Sequence, residues 1–415
     1  MNFDEAVQYL LGLGHETLTI KLGLRNTELL LQALNNPERA FLSVQIAGTN
    51  GKGSTAAMLD SICRAAAIKT GLYTSPHLVS LTERIRIAAA DITPEEFARH
   101  ATTVRAAAEN LLARKEIEAL PTFFEHVTAI ALLAFREARV ELAILETGLG
   151  GRLDSTTAAN ASVVGITPIA MDHEEYLGST LTSIASEKAA VIRQGVTAVI
   201  AEQPREALDV LMKRCEAVGV QPYLAPARDF PKNFSLRLRG AHQIQNASVA
   251  IRLAEALRLH GFTISDEQIG LGLATATHAG RLELIPPFLL DGAHNPAGAQ
   301  ALRDYLDAHH HEPLTLIFGA MRDKKLEQIA EILFPLTDCL ILTVVDNPRT
   351  APVETLLPLA HRFARGVTIE TASSAEAVRT AIAQTPEDGL ICVTGSLYLI
   401  GETRPMILKL AGKTV

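Results

Sequence analysis

Short apolar runs alternate with longer helical patterns along most of this 415-residue chain. Continuous apolar runs separated by helices are typical of parallel strands that helices cover on both faces. Before residue 284, such strands are predicted at 43–47, 141–145, 163–167 and 198–201. The alternation therefore predicts an α/β fold with mostly parallel sheets.

The same alternation resumes after Pro286-Pro287. Strands are predicted at 288–290, 314–318, 340–344 and 390–394, with helices such as 296–306 and 326–333 between them. Because proline fits poorly inside a helix or a central strand, the proline pair predicts a break in the fold. We expect a larger N-terminal domain over residues 1–284 and a smaller, Rossmann-like α/β domain over residues 285–415.

The most specific motif is Gly48-Thr49-Asn50-Gly51-Lys52-Gly53-Ser54, between the predicted strand 43–47 and a predicted helix at 52–67. Its glycines allow backbone N–H groups to turn toward phosphate oxygens, and the helix N-terminus and Lys52 add positive charge. The motif departs from the strict P-loop pattern, with Ile46 at the first glycine position and Gly53 directly after the lysine. A glycine-rich turn without a ligand is the alternative. The pattern favours nucleotide phosphate binding and hence a P-loop ATPase domain.

Two further polar side chains follow predicted strands. Glu146 comes directly after the strand 141–145, and His173 follows the strand 163–167. In parallel sheets the carboxyl ends of the strands face the ligand crevice, where a carboxylate beside a phosphate loop holds magnesium. A surface glutamate and a hydrogen-bonded loop histidine are the alternatives. Together the two residues predict a metal site.

Lys188 lies on the apolar stripe of a helix predicted at 181–193, in line with Ile184 and Val191. A lysine that faces inward must reach solvent, find a counter-charge or change its own charge. One outcome is an ion pair with Glu187. The other is covalent conversion to an anion that supports a cationic metal cluster.

Composition excludes several classes of protein. With 38 Lys and Arg against 46 Asp and Glu, the net charge of −8 argues against nucleic-acid and anionic membrane surfaces as partners. No apolar stretch approaches the ~18 residues of a membrane span, and the N-terminus lacks signal-peptide features, so we expect a cytoplasmic protein. The four cysteines form no CxxC pair. His309-His310-His311 is interpreted as a solvated loop.

Taken in order, the motifs of this chain resemble the folylpolyglutamate synthase/dihydrofolate synthase branch of the Mur ligase superfamily. The resemblance covers nearly the whole chain. It rests on Gly48–Ser54, Tyr73-Thr74-Ser75-Pro76-His77-Leu78, Glu83-Arg84-Ile85-Arg86, Thr122-Phe123-Phe124-Glu125, 146–154, Asp172-His173, Glu187-Lys188-Ala189, Gly280-Arg281, 291–296 and 394–398.

The resemblance implies roles for individual residues. ATP phosphates would be bound by Gly51, Lys52, Gly53 and Ser54, and Mg²⁺ by Ser75, Glu146 and His173. Lys188 would be carbamylated, and Lys52, Lys188 and His173 would serve catalysis. The nucleotide would also be reached by Asn246, Arg281 and Asp291. Asn246 has the alternative interpretation of an N-cap for a helix at 247–259.

For the second substrate, the resemblance implies a pterin cleft lined by the segment 21–24, the loop after Ser75, and Thr122, Phe123, Phe124 and Glu125. The Thr122-x-x-Glu125 spacing is also a capping box, and both interpretations stay open. Arg152 suits a carboxylate or pterin group, whereas Arg84 and Arg86 are open to interpretation as solvated strand charges. The amine acceptor is expected near His294 and Ser396.

The implied activity is ATP-dependent amide formation between L-glutamate and dihydropteroate or the glutamate tail of a folate, through an acyl phosphate. A monovalent cation is a further candidate cofactor, and a monomer is expected. Two alternatives are a Mur-type ligase that acts on a UDP-muramyl precursor and a P-loop ATPase that regulates a partner. The muramyl ligase would lack the Ser75-Pro76-His77 and Thr122–Glu125 segments, and the regulator would hydrolyse ATP without any pterin.

Overall fold

A computed structural model describes residues 1–14, 23–310 and 313–413 of the chain. Lys21 and Leu22 of the predicted pterin cleft, and His311 of the histidine run, lie outside these residues. The chain forms two compact units, one of Met1–Arg237 with Ile244–Ala276 and one of Leu238–Gln243 with Thr277–Val415. The longer segment of the second unit begins at Thr277; the domain boundary at residues 284 and 285 stays a prediction.

The first unit contains an eight-stranded sheet in the order β4-β3-β2-β5-β1-β6-β7-β8. β2 pairs antiparallel with β3, and β3 with β4, whereas all other neighbours are parallel. The strands are β1 (Leu42–Ala47), β2 (Thr70–Tyr73), β3 (Ile85–Ile87), β4 (Ala90–Asp91), β5 (Leu142–Glu146), β6 (Val163–Ile166), β7 (Thr197–Ala201) and β8 (Tyr223–Ala225).

The second unit contains a six-stranded sheet in the order β13-β12-β11-β14-β10-β9. Only the pair of β9 and β10 is antiparallel among the described strands, and Pro286-Pro287 forms the turn between them. The strands are β9 (Glu283–Ile285), β10 (Phe288–Leu290), β11 (Leu314–Phe318), β12 (Cys339–Leu342), β13 (Val367–Glu370) and β14 (Leu390–Thr394).

Helices connect most of the parallel strands. In chain order the α-helices of the described residues are α1 (Phe3–Gly12), α2 (Arg25–Ala33), α3 (Lys52–Ala65), α4 (Pro94–Ala113), α5 (Phe123–Glu137), α6 (Glu174–Leu177), α7 (Leu181–Ala189), α8 (Arg205–Ala217), α9 (His242–Arg258), α10 (Asp266–Thr275), α11 (Pro296–His309), α12 (Leu326–Leu333), α13 (Val353–Phe363), α14 (Ser374–Gln384) and α15 (Leu397–Leu410). None of them is both long and apolar enough to cross a membrane.

The central strands of both sheets are buried on both faces, as their apolar sequences predict. Val44, Ile46, Ile144 and Val164 have no exposed surface. One apolar cluster joins α1, α4 and α5 to β2 and β5, and another joins α7 and α8 to β6 and β7. The predicted α/β fold with mostly parallel sheets is therefore confirmed.

The strand order brings four loops to one edge of the first sheet. β2, β5, β1 and β6 are consecutive neighbours, and Ile46 is paired with Glu146 while Ala47 is paired with Ile166. The chain leaves all four parallel strands at their carboxyl ends, which is where α/β sheets bind ligands. The loops that carry Ser75, Glu146, the glycine-rich motif and His173 start from this edge.

Candidate active site

The glycine-rich loop runs from the end of β1 to the first residue of α3, Lys52. The segment after β6 braces it: the N–H groups of Thr49 and Asn50 donate to the carbonyl of Pro168 at 3.0 and 3.2 Å. The Thr49 hydroxyl also donates to the Ala170 carbonyl at 3.0 Å. The loop is therefore held in place by the neighbouring strand's continuation.

Two glycines of this loop occupy positions that no other residue fits. Gly48 has φ +148°, and a Cβ there would lie 1.9 Å from Oγ1 of Thr167. Gly51 has φ +87°, and a Cβ there would lie 2.0 Å from Oδ1 of Asn246. Both the backbone angle and the lack of space require glycine. The loop can pass this close to its neighbours only because these side chains are absent.

We expect Gly51→Ala to weaken ADP binding by about 10-fold or more, because the new methyl must push Asn246 or the loop aside. Isothermal titration calorimetry with ADP measures the loss. Gly195→Ala is the matched control, since Gly195 has a similar φ of +83° but nothing within 4 Å of the added Cβ. That variant should unfold at lower denaturant yet bind ADP normally. Equal ADP affinities for the two variants would contradict the role of the loop.

The N-terminus of α3 has no side-chain cap. Gly51 is its N-cap and provides no side-chain hydrogen bond, and the first intrahelical bond among the described residues runs from Thr55 N to the Gly51 carbonyl. N–H groups of a first helical turn lack intrahelical partners and attract phosphate. Lys52 Nζ donates to the Thr49 carbonyl at 3.2 Å, so its ammonium folds back over the loop.

Asn246 lies inside α9, which begins at His242. The interpretation of Asn246 as the N-cap of a helix at 247–259 is therefore wrong. Asn246 is 3% exposed, its Oδ1 faces Gly51, and its carbonyl lies 3.4 Å from the Thr55 hydroxyl. This position against the loop and α3 agrees with its predicted nucleotide role, which stays a prediction.

Lys188 is the buried cation of this region, with 4% of its surface exposed. Its Nζ donates to the Gly48 carbonyl at 2.7 Å. Burial, with the nearby Lys52 charge as a second cause, lowers the pKa of Lys188 to about 7, against the opposing effect of Asp172 and Asp154. The ion pair with Glu187 does not form; Glu187 pairs with Arg152 instead, at 3.0 Å. Neighbouring helical residues do not face each other.

The structure brings two of the three predicted metal ligands together. Glu146, the last residue of β5, is 5% exposed, and its Oε2 accepts the Ser75 N–H at 3.1 Å. His173 is half-buried beyond β6 with φ +53°, and its N–H donates to Oδ1 of Asp172 at 2.9 Å. All three loops leave the same edge of the sheet.

Within the described ranges, no three His, Cys, Asp or Glu side chains come together in a way that could hold a metal. One carboxylate, one hydroxyl and one imidazole are a sparse ligand set. Mg²⁺ tolerates such a set because it keeps several waters and is bound through one or two carboxylates plus substrate phosphates. The residues present fit a magnesium ion that arrives with a nucleotide.

The predicted pterin segment opens α5 as a capping box. Oε2 of Glu125 accepts the Thr122 N–H at 2.7 Å, while the Glu125 N–H donates to the Thr122 hydroxyl at 3.3 Å. Oε1 of Glu125 accepts a further bond from the Thr27 hydroxyl at 2.9 Å. Both carboxylate oxygens of this buried residue are thus bonded within the protein. These contacts are those of the capping interpretation, and direct ligand contact by Glu125 stays a prediction.

The two phenylalanines differ in their surroundings. Phe123 is buried under the guanidinium of Arg84, 5.4 Å from the ring centroid. Phe124 is half-buried, with its ring 5.9 Å from that of Tyr73 and packed against Gly148. Phe124 therefore presents an aromatic edge beside the loop that follows Glu146. Arg152, in contrast, is exposed and already paired with Glu187.

In the second unit, Asp291 and His294 follow β10, Arg281 precedes β9 and Ser396 follows β14. Asp291 is buried; burial raises the pKa of its carboxyl, and Arg281 opposes that shift. Its carboxylate accepts the N–H groups of Leu282 and Ala293 at 2.9 and 3.0 Å. His294 Nδ1 lies 2.8 Å from the Gly292 carbonyl, so this nitrogen carries a proton. Ser396 caps α15 through the Leu399 N–H at 3.1 Å.

Three residues that brace the site were not predicted from the sequence. Pro168 holds the phosphate loop, Thr27 holds Glu125, and Asp154 accepts the N–H groups of Gly148 and Leu149 at 2.8 and 3.0 Å. Burial raises the pKa of Asp154. Only Asp154 carried a sequence signal, as an acid within the motif 146–154. Pro168 acts through its backbone carbonyl, which every residue has, and Thr27 acts on a residue that is distant in the sequence.

Comparison with known proteins places these features in a family. Residues 280–397 match a family model described as the Mur ligase, glutamate ligase domain. The chain is 31% identical over 416 residues to the dihydrofolate synthase/folylpolyglutamate synthase of Bacillus subtilis, covering 93% of the chain and 95% of the relative.

Two other relatives extend the comparison. A probable bifunctional folylpolyglutamate synthase/dihydropteroate synthase of Halobacterium salinarum is 33% identical over 97% of the chain, which spans only about half of that relative (51%). Among solved structures, FolC of Escherichia coli in complex with DHPP and ADP superimposes with a TM-score of 0.87 at 28% identity, covering 99% of this chain and 98% of that chain.

Proposed function

Because the chain belongs to the folylpolyglutamate synthase/dihydrofolate synthase family, we propose that it is an ATP-dependent ligase that joins L-glutamate to dihydropteroate, to the glutamate tail of folates, or to both. The observation that carries this proposal is the phosphate loop. Its glycines at 48 and 51, the N-terminus of α3 without a side-chain cap, and Lys52 would together form one anion site at the carboxyl edge of the sheet.

The chemistry follows from the substrate. A carboxylate resists attack by an amine because it is negatively charged and has no good leaving group. Transfer of the γ-phosphoryl group of ATP to a carboxylate oxygen breaks the bond to the bridging oxygen, releases ADP and forms an acyl phosphate. The glutamate amine then attacks the carbonyl carbon and forms the C–N bond. The bond between that carbon and the phosphate oxygen breaks, inorganic phosphate leaves with the electron pair, and the nitrogen loses a proton.

The chain's own residues support these steps by position and charge. The N–H groups of α3 and the Lys52 ammonium would orient and neutralise the phosphates. Glu146, Ser75 and His173 would hold Mg²⁺, which would neutralise further phosphate charge. Phe124 would lie against a pterin ring. His294, which belongs to the second unit, would contact the glutamate amine.

Lys188 has a supporting role. A buried ammonium near Lys52 would repel any cation. Because the pKa of Lys188 is lowered to about 7, a substantial fraction of this lysine is the free amine, which reacts with CO₂. The resulting carbamate is an anion. We therefore propose that Lys188 acts as a carbamate that balances the charge of Lys52 and the metal.

The cysteines support a reducing compartment. All four are free and buried, as in proteins of reducing compartments. We propose a cytoplasmic enzyme that acts as a monomer.

A panel of acceptors tests the activity. The protein is incubated with ATP, Mg²⁺ and L-glutamate together with dihydropteroate, a folate monoglutamate, or a UDP-muramyl peptide precursor, and ADP and amide product are both measured. We expect ADP and amide in equal amounts with one or both pterins. Amide with the muramyl acceptor would favour the Mur-type alternative. ADP without any amide, at the same rate with and without a pterin, would favour the regulatory ATPase.

A further inference from the structure

The largest fully buried side chain among the described residues is that of Arg84, with 1% of its surface exposed. Its interpretation as a solvated strand charge is therefore wrong, whereas Arg86, two residues on, is partly exposed and pairs with Asp91 at 2.7 Å. Removing a guanidinium from water is unfavourable unless specific contacts compensate. The burial of Arg84 therefore requires specific contacts that the partly exposed Arg86 does not need.

The contacts of Arg84 lead to the loop that follows β2. Its Nε donates to Nδ1 of His77 at 2.9 Å, and its carbonyl accepts the Thr74 N–H at 3.0 Å. Because a guanidinium only donates, Nδ1 of His77 must carry the lone pair and Nε2 the proton. The side chain of Arg84 thus fixes both the position and the tautomer of His77.

The preceding residue holds the rest of the same loop. The Glu83 carboxylate accepts the N–H groups of Leu78, Val79 and Ser80 at 2.8, 2.9 and 2.8 Å. At the start of the loop, Ser75 donates its N–H to Glu146. Two consecutive residues, Glu83 and Arg84, therefore hold Thr74 and residues 77–80 of this segment.

The guanidinium of Arg84 also contacts the segment predicted to line the pterin cleft. Its guanidinium lies over the ring of Phe123, which opens α5 directly before Phe124. Stacking on an aromatic face and donation from Nε use the planar fork of arginine, which lysine lacks. One buried side chain thus contacts both the loop that carries Ser75 and the helix start that carries Phe124.

We propose that Arg84 is a positioning residue for the ligase reaction: through His77 it sets Ser75 against Glu146, and through Phe123 it sets the start of α5. This inference rests on the proposed function. It assigns Arg84 no contact with substrate, and it predicts that a single substitution disturbs phosphoryl transfer and acceptor binding together.

Arg84→Met tests the inference, because methionine keeps much of the length and apolar volume but removes the donor and the cation. We expect kcat to fall about 10- to 100-fold, as when a catalytic group is misplaced by about 1 Å, and KM for the pterin substrate to rise several-fold. Arg86→Met, two residues along the chain in β3, is the matched control and should leave both constants within about twofold. Arg84→Lys should be intermediate.

Two further variants each remove one of the two contacts of Arg84, the one with His77 or the one with Phe123. His77→Ala should lower kcat with little change in the pterin KM, and Phe123→Leu should raise that KM with a smaller effect on kcat. His77 is on the half-buried loop, so its variant keeps the test informative even if Arg84→Met does not fold. If both variants change kcat and KM in the same proportions, the two-sided role of Arg84 is wrong.

Amide hydrogen exchange provides a readout independent of turnover. In Arg84→Met and His77→Ala, the amides of Ser75 and Leu78–Ser80 should exchange about 10-fold faster, while those of α3 stay as in the unmodified protein. Unchanged loop exchange, or a uniform acceleration over the whole first unit, would overturn the inference. If the unmodified protein shows no ligase activity, the proposed function fails, and loop exchange still decides whether Arg84 positions Ser75.

Discussion

Lys52→Ala should abolish ligase activity, with kcat/KM reduced by about 10³-fold or more, while the unfolding midpoint stays nearly unchanged. The magnitude is that of losing a charged group that stabilises the transferring phosphoryl group. Lys52 is half-buried at the first position of α3, where alanine is well tolerated. The measurement is coupled ADP release at varied ATP with saturating pterin and L-glutamate, alongside urea unfolding.

Two variants make this result specific. Lys213→Ala removes an exposed lysine of α8 and should retain full activity. Lys52→Arg keeps a positive charge near Lys188 and should lose less than Lys52→Ala, since part of the effect of Lys52 is to hold down the pKa of Lys188. Turnover by Lys52→Ala within about tenfold of the unmodified protein would remove the phosphate loop from the mechanism.

The sequence predicts the central strands well because burial on both faces leaves an unbroken apolar run. The strands expected at 288–290, 314–318 and 390–394 coincide with β10, β11 and β14. The edge strands β8 and β13 were not predicted. Their residues include Leu224 and Val367, which are 50% and 62% exposed, so pairing on one side holds them and no burial pattern marks them.

The site was predictable where the strand order alone determines it. Lys52 and His173 each follow a parallel strand and Glu146 is the last residue of one, so their common edge follows from the alternation of strands and helices. Side chains that depend on distant contacts were not predictable in this way. Arg84 is buried in contact with His77 and Phe123, and Asn246 lies within a helix that begins four residues earlier, at His242.

The helix α7 illustrates a partial success. Helical spacing predicted that Lys188 faces inward, and it is buried, although the helix ends at Ala189 instead of residue 193. Spacing could not reveal that the amine meets the Gly48 carbonyl of the phosphate loop. That contact is what makes the lysine part of the site, because it links the state of Lys188 to the segment that would bind phosphate.

Enzyme freed of CO₂ should have little ligase activity and should recover it when CO₂ is added back. Only the neutral amine of Lys188 reacts with CO₂, and burial together with Lys52 lowers its pKa to about 7. The neutral fraction therefore rises as the pH rises through 7. At a fixed concentration of dissolved CO₂, recovery should be about tenfold faster at pH 8 than at pH 6.

Substitutions at Lys188 separate the carbamate from the amine. Lys188→Met cannot form a carbamate and should stay about 10²-fold less active with or without CO₂, whereas Lys188→Glu supplies an anion and should regain part of the activity without any dependence on CO₂. A ¹³C-labelled CO₂ adduct, seen by NMR in the unmodified protein and absent from Lys188→Met, would identify the carbamate directly. Activity that does not depend on CO₂, or an active Lys188→Met, would show that a carbamate at Lys188 is not required.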